Sequence, residues 1–417
     1  MNSKNRKVTT ISPPRIAIIA DDLTSAADGA APWRACGATS FVVVGSAAVL
    51  DAGDPQFSPS VRIARVISID TNSREMDVAT AAARTAIAVL SVNDRDILFK
   101  TIDSTLRGNL TDETRAALAA SGRSRAIIAP AFPAAGRVTI AGRQYANGTP
   151  VDQTEYGFDP AHPAQRSDLL EVFPGSRMLS SSHGDPDASI LIADATTDED
   201  LDAVVASVPD FRDVLWVGSP GLASALARAY SSPEHADDVR AVAPVDAEVT
   251  RPVPTNRPRG TLVAIGSKHS ANVRQAAQLL AGGQGTDIEI DTDSAGSDLS
   301  LRTADRSLRT GGTVVLHGPT TTLSDSAAVS GGISSAVGTL WSHGNVGALI
   351  ISGGRTARQI FERLDIHIAE LADELEPGIV LLYPSGTAHS LPVILKAGGF
   401  GDDGTLLRLA ERAYLLP

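Results

Sequence analysis

The chain has 417 residues, 43% hydrophobic and only 4% aromatic, enough for two or three α/β domains that each bury a core. A formal charge of -12 and the lack of a Lys/Arg-rich tract argue against a nucleic-acid partner, so an anionic ligand must be met by local cations. The single cysteine, Cys36, excludes a disulfide framework within one chain and fits a reducing cytoplasm, and no apolar run approaches the ~18 residues of a membrane span.

The segment before Pro13 carries Lys4, Arg6 and Lys7 without an apolar h-region and reads as a lead-in, not a signal peptide. Ile16 to Ala20 then forms a continuous apolar run, the pattern of a strand buried on both faces of a parallel sheet. Asp21 and Asp22 fall at its carboxyl end, and Thr24 or Ser25 is placed to cap the helix that follows. Adjacent carboxylates there could bind a metal, accept a hydroxyl proton or cap the helix. Cys36, at the end of that helix, reads as a small core residue. Phe41–Ser46 and Val61–Ile69 are the next strands, and Asp70 to Arg74 follow the second. By itself Arg74 reads as a surface helix residue. Val78–Leu90 is an Ala-rich helix.

Ile97 to Phe99 ends the next strand, and KTIDSTLRGN (Lys100 to Asn109) leaves it. Ligands bind at the carboxyl ends of strands in open α/β sheets. This stretch gathers Lys100, Asp103, Ser104, Thr105, Arg107 and Gly108. Arg107 could fork onto a carboxylate, while Asp103 and the hydroxyls could read sugar-type hydroxyls. A solvated loop with one ion pair is the bland alternative. The turn-rich stretch from Ala126 to Pro160 implies a hairpin, Val138–Ile140 against Gln144–Ala146. Arg137 and Asp159 are its notable polar residues, either functional or an ion pair pinning the hairpin. Short strands at Leu191–Ala195 and Val214–Gly218 and a helix in Gly218–Ala227 complete this half.

Proline recurs without apolar periodicity from Ala241 to Gly260, the mark of a linker. The expected division is a domain over 1–240, a linker over 241–260 and a second domain over 261–417. The strand–loop–helix alternation then restarts. Gly266 and Ser267 sit where a strand yields to a helix, a ready anion site or an ordinary cap. Gly312–Pro319 holds another strand. Ser352, Gly353, Gly354, Arg355 and Thr356 stand between a buried strand and an amphipathic helix. Paired glycines before a helix let phosphate oxygens approach bare amides. Lys396, Gly398 and Gly399 follow the last strand in a Gly-rich loop that could cover phosphates or merely turn. The Ser352–Thr356 stretch is neither a Walker A motif nor GxGxxG, no HExxH is present, and the eight histidines show no metal-ligand spacing.

Five separated blocks resemble the four-carbon acid sugar kinase family in the family's order. They are the IAIIADD opening, KTIDSTLRGN, PAFPAAGR with the hairpin after it, SGGRTA and LKAGGFG, and DTNSRE resembles a shorter segment ending in a substrate-reading arginine. Leu23 replaces an aromatic, Ser25 a glycine, and Arg355 stands where an acidic or small residue is more usual. The resemblance implies an α/β protein of two domains, each a largely parallel sheet flanked by helices, with an active-site cleft between them. It implies a cytoplasmic, ATP-dependent kinase for threonate, erythronate or 3-oxo-tetronate, acting at the terminal hydroxyl. Asp21 or Asp22 would accept or orient the hydroxyl proton, with Asp103 the other candidate. Arg74, Lys100, Ser104, Thr105 and Arg107 would hold the sugar acid. Ser267, Ser352, Gly353, Gly354, Arg355, Thr356, Lys396, Gly398 and Gly399 would hold ATP, with Mg²⁺ bridging its phosphates and no protein metal cluster. The small molecule is the expected partner, with neither nucleic acid nor membrane, and a homodimer is left open. Competing readings are a kinase for another small acid such as glycerate and a non-catalytic sensor of sugar acid or nucleotide. A Rossmann-type oxidoreductase would need GxGxxG after the first strand, which is lacking there.

Overall fold

The architecture comes from a computed structural model that describes residues 13–45, 61, 63–158, 163–179, 188–231, 260–267, 269–281, 283, 285–290, 298–319, 326–386 and 391–416. In chain order the strands are β1 (Ile16–Ala20), β2 (Ser40–Val44), β3 (Val66–Asp70), β4 (Ile97–Thr101), β5 (Arg125–Ala129), β6 (Arg137–Ile140), β7 (Arg143–Ala146), β8 (Thr149–Pro150), β9 (Arg177–Met178), β10 (Ile190–Ile192), β11 (Val214–Gly218), β12 (Gly260–Ile265), β13 (Gly285–Glu289), β14 (Thr313–His317), β15 (Val346–Ser352), β16 (Ile368–Glu376), β17 (Ile379–Pro384) and β18 (Val393–Lys396). Strands β6 to β8 form a small antiparallel sheet. The rest form one sheet in the order β13-β14-β12-β15-β18-β17-β16-β2-β3-β1-β4-β11-β5-β10-β9.

The apolar runs are continuous because the strands are covered on both faces. β1 lies between two parallel neighbours, β3 and β4, and is buried at every position. Every pairing from β2 to β9 in this sheet is parallel. The second half is parallel through β13, β14, β12, β15 and β18, and then turns antiparallel through β17 and β16. Thus the α/β architecture with two largely parallel halves holds. The added feature is a seam: Ile368–Glu370 of β16 pairs antiparallel with Phe41–Val43 of β2, so one sheet crosses from the first half to the second.

Side chains reinforce the seam. Arg358 Nη1 pairs with Asp70 Oδ2 at 2.9 Å, and Arg34 Nε donates to Ala372 O at 2.9 Å. Burial pushes the Asp70 carboxyl up to about 6 against the opposing pull of Arg358.

Strand order reverses beside β1 in the first half and between β12 and β15 in the second. Such switch points open crevices at the carboxyl ends of the strands. The loops after β1, β3 and β4 carry the front-half candidates, and those after β12, β15 and β18 carry the rear-half ones.

Three local expectations are corrected. The third strand spans Val66–Asp70, and Val61 and Ile63 are helical instead. Cys36 is exposed, because it caps the end of its helix rather than pointing inward. Asp22, not Thr24 or Ser25, caps the Leu23–Ala35 helix by accepting from Ser25 N at 2.7 Å. Most of the expected linker and Asp159 lie outside the described residues. No described helix is long and apolar enough to cross a membrane.

Candidate active site

In the front half the carboxylates and cations interlock. Arg74 forks onto Asp21, Nε to Oδ2 and Nη2 to Oδ1, both at 2.8 Å. Its Nη1 reaches Asp22 Oδ2, and Nη2 also donates to Ser25 Oγ at 2.9 Å. Arg74 is therefore a cleft residue, not the surface residue its isolated position suggests. Ser25, a departure from the family pattern, supplies one of its anchors. Burial works against ionisation of Asp21, but the adjacent Arg74 guanidinium wins and holds the carboxyl below its ordinary range. Gly108 has φ +96°, and a Cβ there would sit 3.1 Å from Asp21 Oδ2, so glycine lets the DSTLRGN loop lie on this carboxylate.

Within that loop Arg107 Nε pairs with Asp103 Oδ2 at 2.5 Å, and Thr105 Oγ1 donates to the same oxygen at 2.7 Å. Burial opposes the charge on Asp103, yet Arg107 and Arg74 hold it well below the usual carboxylate range. A carboxylate so stabilised is a poor proton acceptor. Ser104 is buried, and its carbonyl accepts from Gln144 Nε2 at 2.8 Å.

Lys100 takes a different place from the one expected. It is fully buried, with Nζ 2.8 Å from Glu113 Oε2 and 2.7 Å from Thr101 O. Glu113 also accepts from Ser73 Oγ at 2.6 Å, and Ser73 shares a hydrogen bond with Thr71. Burial pushes the Glu113 carboxyl up while Lys100 opposes this. This pair sits beneath the loops after β3 and β4 and fixes them. Glu113 is absent from the sequence reading because an acidic residue in the first turn of a helix looks like a dipole partner.

The rear half builds a cradle. Gly353 has φ +109° at the start of the Gly354–Arg363 helix, and a Cβ there would lie 3.2 Å from Ser267 Cβ. A Cβ on Gly398 would lie 2.6 Å from Ser267 Oγ. The loops after β12, β15 and β18 thus converge, with no room for side chains between them. Asn272, also absent from the sequence reading, ties them from below. Its Oδ1 accepts from Ser352 Oγ at 2.8 Å and Lys396 Nζ at 2.9 Å, and its Nδ2 donates to Ser267 O at 3.2 Å. Lys396 is fully buried and donates further to Ala397 O and Gly398 O. It lies under the loop rather than in the cleft, and burial pulls its ammonium down to about 7. Thr356 is buried against Ser330, and Gly266 leaves the space it occupies. Arg355 pairs with Glu75 of the front half.

Besides the seam and the Arg355–Glu75 pair, the halves approach each other at Gly354 and Gly399. Asp22 Oδ2 would be 2.8 Å from a Cβ on Gly354, so the front-half carboxylate faces the first residue of the rear-half helix. Gly399 would place a Cβ 3.1 Å from both Tyr156 Oη and His269 Nε2. Gly354→Ala is expected to hold the halves apart at Asp22. Alanine favours the helix by up to ~1 kcal/mol over glycine, so Tm should not fall. A displacement near 1 Å at the reacting groups should lower kcat/KM by up to ~10²-fold. Steady-state kinetics beside a thermal melt check this.

Facing carboxylates and cations on one side, and bare amides at a helix N-terminus on the other, define an enzyme that joins a polar acid to a phosphate-bearing donor across a cleft. Residues 16–226 match the sugar-binding N-terminal domain family, and residues 262–406 the nucleotide-binding C-terminal domain family. The chain is 30% identical to a D-threonate kinase of Bordetella bronchiseptica over 95% of this chain and 97% of that one. It is 31% identical to a D-threonate kinase of Cupriavidus necator over 93% and 95%, and 24% identical to a 3-oxo-tetronate kinase of Methylobacterium radiotolerans over 92% and 95%. Its fold is similar to a Salmonella typhimurium structure described as a tRNA synthase, with TM-score 0.72 at 16% identity over 95% of this chain and 98% of that one. A Haemophilus influenzae structure matches with TM-score 0.66 at 16% identity over 95% and 100%. The chain belongs to the four-carbon acid sugar kinase family. It is a phosphotransferase with an alcohol group as acceptor.

Proposed function

We propose that the protein transfers the γ-phosphoryl group of ATP to the terminal hydroxyl of a four-carbon sugar acid, with D-threonate as the preferred acceptor. Full-length similarity to D-threonate kinases at 30% and 31%, against 24% for a 3-oxo-tetronate kinase, supports the choice of acid. The observation that carries the chemistry is the approach of Asp22 Oδ2 to the start of the Gly354 helix.

Each half has its part. Asp22 has the more accessible carboxylate of the pair, with its side chain 16% exposed against 2% for Asp21. It orients the acceptor hydroxyl and takes its proton as oxygen bonds to phosphorus and the bond to the leaving ADP breaks. Asp21 acts through Arg74, which it holds rigid. Ser267, Gly353, Gly354 and Gly398 fit a triphosphate because their backbones meet where no side chain intrudes. Among the described residues no cluster of three or more metal-ligating side chains exists. Mg²⁺ is commonly held by one or two carboxylates together with substrate phosphates, and Asp22, facing Gly354, is the carboxylate that would meet it. Bound there, Mg²⁺ would neutralise charge on the phosphates.

ADP release with ATP over threonate, erythronate, 3-oxo-tetronate and glycerate tests the reading. D-threonate should give the highest kcat/KM. A faster glycerate reaction, or ligand binding without turnover of any acid, would defeat it.

A further inference from the structure

We infer that Arg137 and Tyr156 complete, with Arg107, a clamp for the carboxylate of the sugar acid. This inference rests on the function proposed above and extends it to Arg137 in the β6–β8 sheet and Tyr156 in the 3₁₀ turn Glu155–Phe158 that follows it.

Arg137 begins β6 and is only 7% exposed. Its Nη1 donates to Ala135 O, and its Nη2 donates to Tyr156 Oη at 2.9 Å. Its Nε is buried and has no hydrogen-bond partner. Among the described residues its partners are thus a carbonyl and a phenol, both uncharged. A buried guanidinium with an idle donor and no counter-charge is unfavourable until an anion arrives. An ion pair with Asp159, which the hairpin suggested, involves a residue outside the described ones.

The surroundings say where that anion would sit. The Arg137 guanidinium carbon lies 5.4 Å from the Tyr156 ring centre, and that of Arg107 lies 5.3 Å from the same centre. Two guanidinium groups therefore share one aromatic ring, and Arg107 also belongs to the DSTLRGN loop beside Asp103. His269 reports the same concentration of positive charge. Burial lowers its pKa, Glu155 at 3.0 Å opposes this, and Lys396, Arg107 and Arg137 each lower it further. The Tyr156 hydroxyl adds a polar group against Gly399 of the rear half.

The chemistry that suits this place is a small monocarboxylate. Two guanidinium groups can each present parallel N–H groups to a carboxylate. A phenol hydroxyl held by Arg137 adds a further hydrogen bond. The DSTLRGN loop joins this place to the Asp21–Asp22 turn, since Arg107 pairs with Asp103 and a Cβ on Gly108 of the same loop would lie 3.1 Å from Asp21 Oδ2.

The test is steady-state kinetics of the full chain with ATP and D-threonate, wild type beside Arg137→Met, Arg137→Lys and Tyr156→Phe, with equilibrium acid binding measured in parallel. Arg137→Met should raise the KM and Kd for the acid roughly 10- to 100-fold, the worth of one charged hydrogen-bonding group, while KM for ATP stays within about twofold. Arg137→Lys should recover only part of the loss because an ammonium cannot fork. The carboxamide of the acid should be rejected by wild type but not further penalised in Arg137→Met. Wild-type turnover is measured first, since its absence would defeat the functional reading itself. Turnover with an unmoved acid KM in both Arg137 variants would overturn the clamp alone. So would a fall in kcat with both KM values unchanged, which would assign the guanidinium to the transferring phosphoryl group. If Arg137→Met fails to fold, Arg137→Lys and the wild-type discrimination against the carboxamide decide between these outcomes.

Discussion

Asp22→Asn is expected to lower kcat by roughly 10²- to 10⁴-fold, the contribution of a positioned general base, while leaving the fold intact. Asp22 caps a helix, pairs with Arg74 and faces Gly354, and asparagine keeps the first of these roles. Its Oδ1 caps the Leu23–Ala35 helix, accepting from Ser25 N and from Thr24 Oγ1 at 2.9 Å. Asparagine caps about as well as aspartate. Arg74 stays in place because its fork onto Asp21 is untouched. What is lost is the proton acceptor facing Gly354, together with the second ion pair of Arg74. Thermal melts of the two proteins should overlay while ADP release collapses. Asp21→Asn should behave differently, since it breaks the Arg74 fork and loosens substrate positioning, so KM for the acid should rise along with the loss in kcat. Wild-type turnover in Asp22→Asn would leave Asp21 and Asp103 as the remaining candidates, and Asp21 is committed to Arg74. Arg107 and Arg74 hold the Asp103 carboxyl so low that it would be a weak base.

The sequence was most informative where function depends on backbone and least where it depends on contacts between distant segments. Ile16–Ala20 and Val346–Ser352 were legible as buried strands because both faces are covered and the runs Ile16–Ala20 and Ala348–Ile351 are apolar throughout. Gly353 was legible because a strand that turns directly into a helix at positive φ admits little else. By contrast, Val61 and Ile63 look like the start of a strand, since apolar residues there are compatible with either a helix or a strand. The burial of Lys100 against Glu113 was not legible for a related reason. A lysine in a loop-flanked motif reads as a ligand cation, and only the packing of the Leu110–Ser121 helix shows Glu113 waiting for it. Asn272, Tyr156 and His269 carry no local signal, because each matters through a segment over 100 residues away: Asn272 through Lys396, and Tyr156 and His269 through one another. The seam between β16 and β2 was invisible for the same reason. Edge strands announce that they pair, not with what.

Lys100→Met should destabilise the protein by about 3–5 kcal/mol in urea unfolding, since it leaves a buried carboxylate without its cation. Both partners are buried, with side chains 1% exposed, so solvent offers Glu113 no substitute. The deficit should also depend on pH. Without Lys100, burial raises the folded-state pKa of Glu113 still further above its unfolded value. A raised folded-state pKa makes the neutral acid the favoured form in the fold. The variant should therefore be least impaired below the unfolded value near ~4.3 and lose stability as pH rises through the folded one. Lys100→Met with Glu113→Gln removes both charges and keeps an acceptor for Ser73, and should recover most of the loss. That double variant also decides what Lys100 does in catalysis. If the lysine only braces the loops after β3 and β4, the stable double variant should bind the sugar acid with a KM close to wild type. If Lys100 grips the acid directly, the double variant should fold well yet show a KM raised by ~10-fold or more, the worth of a lost charged hydrogen bond. Full burial of the ammonium and its short bond to Glu113 favour the first outcome.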